Sequence, residues 1–378
     1  MLQKKIGLIA PDFPPSLGGV QEYSYNFSKE LIKQGYEIVL LVPKSNVEAD
    51  FSADQIFPHR VLVFDKKQDL ETIKTFDINI WHCLDASYAW LVQYFPNVYF
   101  SIHGNDFLNP YHLTEEISIK GIRIPLFSSR LKLYARRYLT KKKILSSLPM
   151  AKQVFTNSAY TRQRLINLNR KVVDNSCSIG VGVSEFFFEG DLIVRRKTKR
   201  LRLTTVSRLS ETRKNIDLVL RALAKLKETN VDFSYTIIGD GSMRKQLEVL
   251  THNLGLSRHV EFMGRVSKAT IRQTLSESDL FILVSSSSKY TVEGFGIVYL
   301  EANACGTPVM AGNEGGAAEA VVIGENGFVV NEINVDGIFS GLMQFMNNKY
   351  DFNPEHCRNF ASQYSWKNIV QKIISYYD

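Results

Sequence analysis

Twice along this chain, short apolar runs alternate with segments of helical pattern, and that double alternation restricts the possible folds more than any other feature. In the first half the runs fall at 6–10, 37–42, 61–64, 78–82, 98–102 and 153–156. In the second half they fall at 201–206, 235–238, 260–262, 280–284 and 308–311. Most are continuously apolar, not alternating with polar residues. That is the mark of strands covered on both faces, as in a parallel sheet sandwiched between helices. The intervening segments, such as 20–34, 216–227, 242–254 and 268–276, carry apolar residues at helical spacing. Between the two halves, residues 190–200 are polar and basic without periodicity, and they read as a linker. The expectation is an α/β protein of two domains, 1–190 and 200–355, with a final helix at 366–377. A chain of 378 residues suffices for two cores.

Several classes are excluded early. Four scattered cysteines form no C-x-x-C pair, so neither a zinc site nor a disulfide framework is expected, and a reducing cytoplasm fits best. The longest stretch free of Asp, Glu, Lys and Arg, 86–105, contains Gln93, Pro96, Asn97 and His103, so it reads as buried α/β structure and not as a membrane span. The apolar start is too short for a signal peptide. Net charge is +8, and it is unevenly placed: residues 117–173 hold fourteen Lys or Arg and no acid. A field of one sign points to an anionic partner, for which a membrane surface with anionic lipids is preferred. No nucleic-acid recognition motif accompanies it, and a plain solvated helix face is the other reading.

Chemistry-bearing residues gather where strands give way to helices. Gly18 and Gly19 follow the first strand and open a helix, so backbone N–H groups there can face an anion. The loop lacks both G-x-G-x-x-G and a P-loop lysine, which disfavours a nicotinamide oxidoreductase or a Walker site. His103, with Gly104 and Asp106, ends another strand; His82 is its competitor and reads as structural. Arg208 and Lys214, six residues apart after the first strand of the second half, can straddle a diphosphate, whereas Arg213 is expected to point to solvent. Asp240 sits in a Gly-Asp-Gly turn and reads as structural. Glu293 precedes a short helix, Glu301 lies within it on the side of Ile297, and Gly294 and Gly296 mark the turn between. No D-x-D exists to clamp a metal diphosphate, so cationic side chains and helix ends must supply that charge, and no metal is expected.

The run from Glu293 through Phe295, Gly296 and Ile297 to Glu301, followed by Cys305, Gly306 and Pro308, resembles the E-x7-E signature of the retaining family 4 glycosyltransferases. The resemblance extends over nearly the whole chain and is most specific at 204–320. It implies the GT-B fold: two Rossmann-like parallel-sheet domains facing an interdomain cleft, the first on the acceptor side, the second binding the nucleotide sugar. It also implies a C-terminal helix (363–378) returning to the first domain. His103, Arg208, Lys214 and Glu293 then correspond to the catalytic groups. Gly18, Gly19, Gly264, Val266, Phe295, Gly296, Ile297 and Glu301 correspond to donor-binding positions, and Glu319 to a cap on the helix after Gly315 and Gly316.

The activity implied is metal-independent, retaining transfer of a hexose from GDP-mannose or a UDP-hexose to a hydroxyl acceptor, with no cofactor. The loop before Glu293, longer than usual and without the family's proline, is similar to that of mannosyltransferases acting on lipid acceptors. A lipid-linked saccharide in cell-surface polysaccharide or glycolipid synthesis is therefore expected as acceptor, met by a cytoplasmic enzyme peripheral to the inner face of the membrane. A nucleotide-sugar epimerase or hydrolase of the same fold, which would turn over donor alone, is the alternative. A non-catalytic partner subunit is disfavoured by the presence of Arg208, Lys214, Glu293 and Glu301.

Overall fold

The computed structural model describes residues 5–14, 18–43, 59–62, 66–110, 118–119, 122–123, 127–192, 200–288, 291–347 and 349–377. The chain divides into two compact units. The first comprises Met1–Gly180, Lys289–Thr291 and Ile369–Asp378; the second comprises Val181–Ser288 and Val292–Asn368.

The first unit is built on β1 (Lys5–Ile9), β2 (Glu37–Pro43), β3 (His59–Leu62), β4 (Ile80–Cys83) and β5 (Val98–Ile102). After a two-residue antiparallel pair, β6 (Ser118–Ile119) and β7 (Ile122–Arg123), come β8 (Gln153–Thr156) and β9 (Ser176–Ser178). The seven-stranded sheet runs β3-β2-β1-β4-β5-β8-β9, with every pairing parallel. Burial of Ile6, Leu8, Trp81, Phe100 and Phe155 explains the continuous apolar runs. The edge strand β9 is polar (Ser176, Cys177, Ser178), so hydropathy gave no sign of it. The third strand lies at His59–Leu62, slightly before the expected 61–64; residues 63–65 fall outside the described residues.

The second unit contains β10 (Leu201–Val206), β11 (Phe233–Ile238), β12 (Val260–Gly264), β13 (Leu280–Leu283), β14 (Val309–Gly312) and β15 (Gly327–Val330). They form a parallel sheet in the order β12-β11-β10-β13-β14-β15. Its core joins Leu203, Tyr235, Ile237, Ile282 and Met310 to the helix Ile216–Glu228 through Val219, Leu220, Leu223 and Leu226. Two of its buried hydroxyl groups find partners within the sheet: Thr205 pairs with Tyr235 at 2.6 Å, and Tyr299 donates to the Leu283 carbonyl at 2.5 Å.

Residues 181–192 belong to the second unit, not to the first as far as 190. Val183 bridges to Ser365, Phe187 is buried, and Arg272 stacks on Phe186 at 4.4 Å while pairing with Glu189 at 2.7 Å. The helix Trp366–Ile374 begins in the second unit, and the chain ends in the first. There Tyr377 bonds the buried His82 Nδ1 at 2.5 Å, and His82 Nε2 meets Ser101 Oγ at 2.9 Å. Burial holds His82 down at about 3, so it is neutral and structural.

In each sheet the strand order reverses once, between β1 and β4 and between β10 and β13. Such switch points, at the carboxyl ends of parallel strands, are where open α/β sheets receive ligands.

Candidate active site

At the switch point of the second unit, the loop after β10 meets the loop after β13. A short turn, Thr212–Lys214, ends at Asn215, whose backbone is left-handed (φ 51°) and whose side-chain amide donates to the Val284 carbonyl at 2.7 Å. Ser286 N–H donates to the Arg213 carbonyl at 2.8 Å, fastening the two loops again. This geometry turns Arg213 and Lys214 inward onto Glu293. The Glu293 Oε2 accepts from Arg213 Nη1 at 3.1 Å, from Ser285 Oγ at 3.1 Å, and from Lys214 Nζ. Its side chain is only 11% exposed. Burial alone would push its carboxyl up, but Lys214 and Arg213 outweigh that and hold it at about 2, fully ionised.

The Glu293 backbone is held as firmly. Gly316 N–H donates to the Glu293 carbonyl at 2.8 Å. Gly315 has φ 73°, and a Cβ there would stand 2.8 Å from that carbonyl, so only glycine fits the turn. Gly296 (φ 84°) starts the helix Ile297–Ala304, and a Cβ there would strike the Tyr299 ring at 2.4 Å. Ile297 and Glu301, both half-buried, share a face of this helix. Phe295 turns its ring inward against Tyr364, with centroids 5.3 Å apart, and is buried. At the end of β12, the Gly264 carbonyl accepts from Gly239 N–H at 2.8 Å, and Val266 is half-buried.

Lys214 and Glu293 are thus brought together directly, whereas Arg208 is joined to them through intermediaries. Its side chain is 68% exposed and pairs with Glu211 at 3.2 Å; Glu211 accepts from Arg213 Nε at 2.6 Å. Two expectations are corrected. Arg213 does not point to solvent: it is 12% exposed, because Glu211 and Glu293 grip it from both ends. Nor does Glu319 cap a helix N-terminus. It lies inside the short 3-10 turn Gly315–Ala320, near its end, and the N-cap position is Glu314, whose side chain accepts from Ser287 N–H at 2.7 Å. Asp240 accepts from the Gly241 N–H at 2.8 Å, a turn role.

In the first unit, Gly18 and Gly19 begin the helix Gly19–Lys33, from which Tyr23 meets the His103 ring edge-on at 4.7 Å. One His103 ring nitrogen bonds the Leu84 backbone, and Nε2 is buried without a protein partner. Burial lowers its pKa to about 4 against the effect of that bond, so the ring is neutral at pH 7. Asp106 fixes the turn: its carboxylate accepts from Gly104 N–H at 2.9 Å, His103 N–H at 3.2 Å and Ala86 N–H at 3.2 Å. Burial and the neighbouring Asp85 push Asp106 up to about 8, although those N–H bonds act the other way. Asp85 itself rises to about 6, through burial and Asp12, against its bonds from Ser87. Sequence reasoning missed Glu211 and Ser285 as site members and turned Arg213 to solvent, whereas Asp106 was singled out with His103 and Gly104.

No group of three or more His, Cys, Asp or Glu among the described residues is arranged to hold a metal. The basic helix Phe127–Ser147 exposes Arg136, Lys142 and Lys143 together with Tyr138 (68% exposed) and Leu139 (55%). Not all the cations of this region face water freely: Lys141 donates to the Leu108 carbonyl at 3.3 Å, and Arg162 to the Ser176 and Val173 carbonyls at 2.8 Å. No helix among the described residues is long and apolar enough to cross a membrane.

Two Rossmann-like units with parallel sheets, each carrying its polar residues at a switch point, define the GT-B class. Glycosyltransferase models match both halves: "Glycosyltransferase Family 4" over residues 17–175 and "Glycosyl transferases group 1" over 193–364. The chain is 36% identical to a GDP-mannose-dependent α-(1-6)-phosphatidylinositol monomannoside mannosyltransferase of Mycolicibacterium smegmatis, over 34% of this chain and 35% of that protein. It is 24% identical, over 99% of this chain and 97% of the other, to an uncharacterised glycosyltransferase of Methanocaldococcus jannaschii. Its fold superposes on that of Anabaena HepE, crystallised with UDP, with a TM-score of 0.74, 18% identity, and 99% of both chains covered. The chain belongs to the family 4 glycosyltransferases.

Proposed function

We propose that this protein transfers a hexose, with retention and without a metal, from a nucleoside-diphosphate sugar to a hydroxyl acceptor. The observation that carries this reading is the Lys214–Glu293 pair beside the Gly315–Gly316 turn at the switch point of the second unit. In the proposed reaction a bond forms between the acceptor oxygen and the anomeric carbon while the bond from that carbon to the diphosphate oxygen breaks. The electron pair goes to the diphosphate, which accepts the acceptor's proton on the same face. Lys214 and the exposed Arg208 are assigned the growing diphosphate charge, a role worth most where the cations are already in place. Glu293 is assigned the support of the sugar ring, not a covalent bond. The second carboxylate, Glu301, and the Gly296 turn are assigned the nucleoside. Neutral His103, whose Nε2 can accept a hydroxyl hydrogen, is assigned a sugar hydroxyl.

GDP-mannose is the favoured donor, because the M. smegmatis relative is GDP-mannose-dependent, although the match spans about a third of that protein. The same relative acts on a phosphatidylinositol mannoside, which together with the basic helix Phe127–Ser147 supports a lipid-linked acceptor at an anionic membrane surface. Thermal stabilisation by GDP, UDP and ADP in the presence of EDTA tests the donor site. Binding to anionic liposomes that falls steeply with salt tests the surface; binding indifferent to salt contradicts it.

A further inference from the structure

We propose that Arg213 is a positioning residue: it is the fixed counter-ion that keeps Glu293 ionised and in place while Lys214 moves onto the diphosphate of a bound nucleotide sugar. The inference rests on the donor reading above and adds a residue with no part in it. Both cations end on the same oxygen, Glu293 Oε2, but they are not equivalent. Arg213 is anchored twice by its side chain, Nε to Glu211 at 2.6 Å and Nη1 to Glu293 at 3.1 Å, and its carbonyl is held by Ser286 N–H at 2.8 Å. A planar guanidinium gripped by two carboxylates has no freedom to leave either. Lys214 is a point charge on a flexible four-carbon stem, and Glu293 is its acceptor among the described residues.

A diphosphate arriving at this edge of the sheet draws on the mobile cation. With Lys214 alone, that transfer would strand a buried carboxylate without a partner, a state proteins avoid by taking up a proton. Arg213, with Ser285 as a third donor, removes the conflict: Glu293 keeps a charge partner in both positions of Lys214. Glu211 completes the device, since it ties Arg213 and the exposed Arg208 to one carboxylate.

The test compares wild type with Arg213→Gln, Arg213→Lys and Glu211→Gln. Arg213→Gln is expected to lower kcat about 10- to 100-fold while the Kd for GDP or UDP stays within about threefold. It should also bring an acid limb into the kcat profile at pH 4–7, where the wild-type profile is flat. Arg213→Lys should restore most of the rate and remove the limb, which loss of fold would not allow. Glu211→Gln should act in the same direction with a smaller fall. A profile in Arg213→Gln as flat as that of wild type over pH 4–7 overturns the proposal. So does a nucleotide Kd weakened as much as kcat/KM, which would make Arg213 a phosphate ligand. If wild type binds none of GDP, UDP and ADP, the donor reading has failed, and urea unfolding without ligand still decides the counter-ion. Arg213→Gln must then lose less stability than wild type between about pH 5 and 2, because without Arg213 the folded pKa of Glu293 lies closer to its unfolded value; coincident pH dependences refute the role.

Discussion

The carboxyl edges of the two sheets both gather carboxylates wholly or half withdrawn from water, and they treat them in opposite ways. In the second unit Glu293 faces two cations and is held at about 2; in the first, Asp85 and Asp106 lie near one another and rise to about 6 and 8. Burial penalises the charged form in all three. The difference is what stands opposite: Lys214 and Arg213 in one unit, backbone N–H groups and a second acid in the other. A carboxylate kept charged can support developing positive charge in a sugar ring. A carboxyl whose proton is easily retained serves to brace a turn, as Asp106 braces His103.

The contrast can be broken most severely at Lys214. Lys214→Ala should lower kcat/KM by about 10²–10³-fold, the usual consequence of losing a group that meets transition-state charge. Arg208→Ala, acting at an exposed position, should cost about tenfold and far exceed Glu319→Ala, which should be near neutral; equal losses at Arg208 and Glu319 would contradict the assignment. Steady-state kinetics on the three variants checks both statements.

The pH dependence of stability sharpens the comparison further. Glu293 has a depressed pKa, so its contribution is present above the unfolded value near 4 and is lost as pH falls through about 2. Asp106 has a raised pKa, so the folded state binds the extra proton, and stability falls as pH rises from about 4 through about 8. Asp85→Asn relieves the repulsion, so it should flatten the loss between pH 5 and 8, by about 1–3 kcal/mol, in urea unfolding. The smallest effect is set by the C-terminal tail: Tyr377→Phe leaves the buried His82 Nδ1 without its partner and should cost about 1–3 kcal/mol.

Much of this was legible in the sequence because it depends on local pattern. Buried parallel strands need continuous apolar runs, and turns such as the one at Gly315 need glycine, so the alternation and the loops around Gly296 and Gly315 could be read residue by residue. Arg213 could not. Whether a cation faces solvent or a carboxylate eighty positions away depends on how β10 and β13 lie side by side, and the Arg-Lys pair itself is silent on that. The polar edge strand β9 escaped because nothing apolar marks it, and so did the reach of Asp106 to Ala86, which lies in the loop after another strand.

Calorimetric binding of GDP and UDP, in EDTA, to wild type and to Lys214→Ala tests the diphosphate site at its cation. Wild type should bind one of the two without metal, and Lys214→Ala should bind it at least tenfold more weakly. Equal binding by both proteins, or none by either, would contradict a diphosphate site built on Lys214.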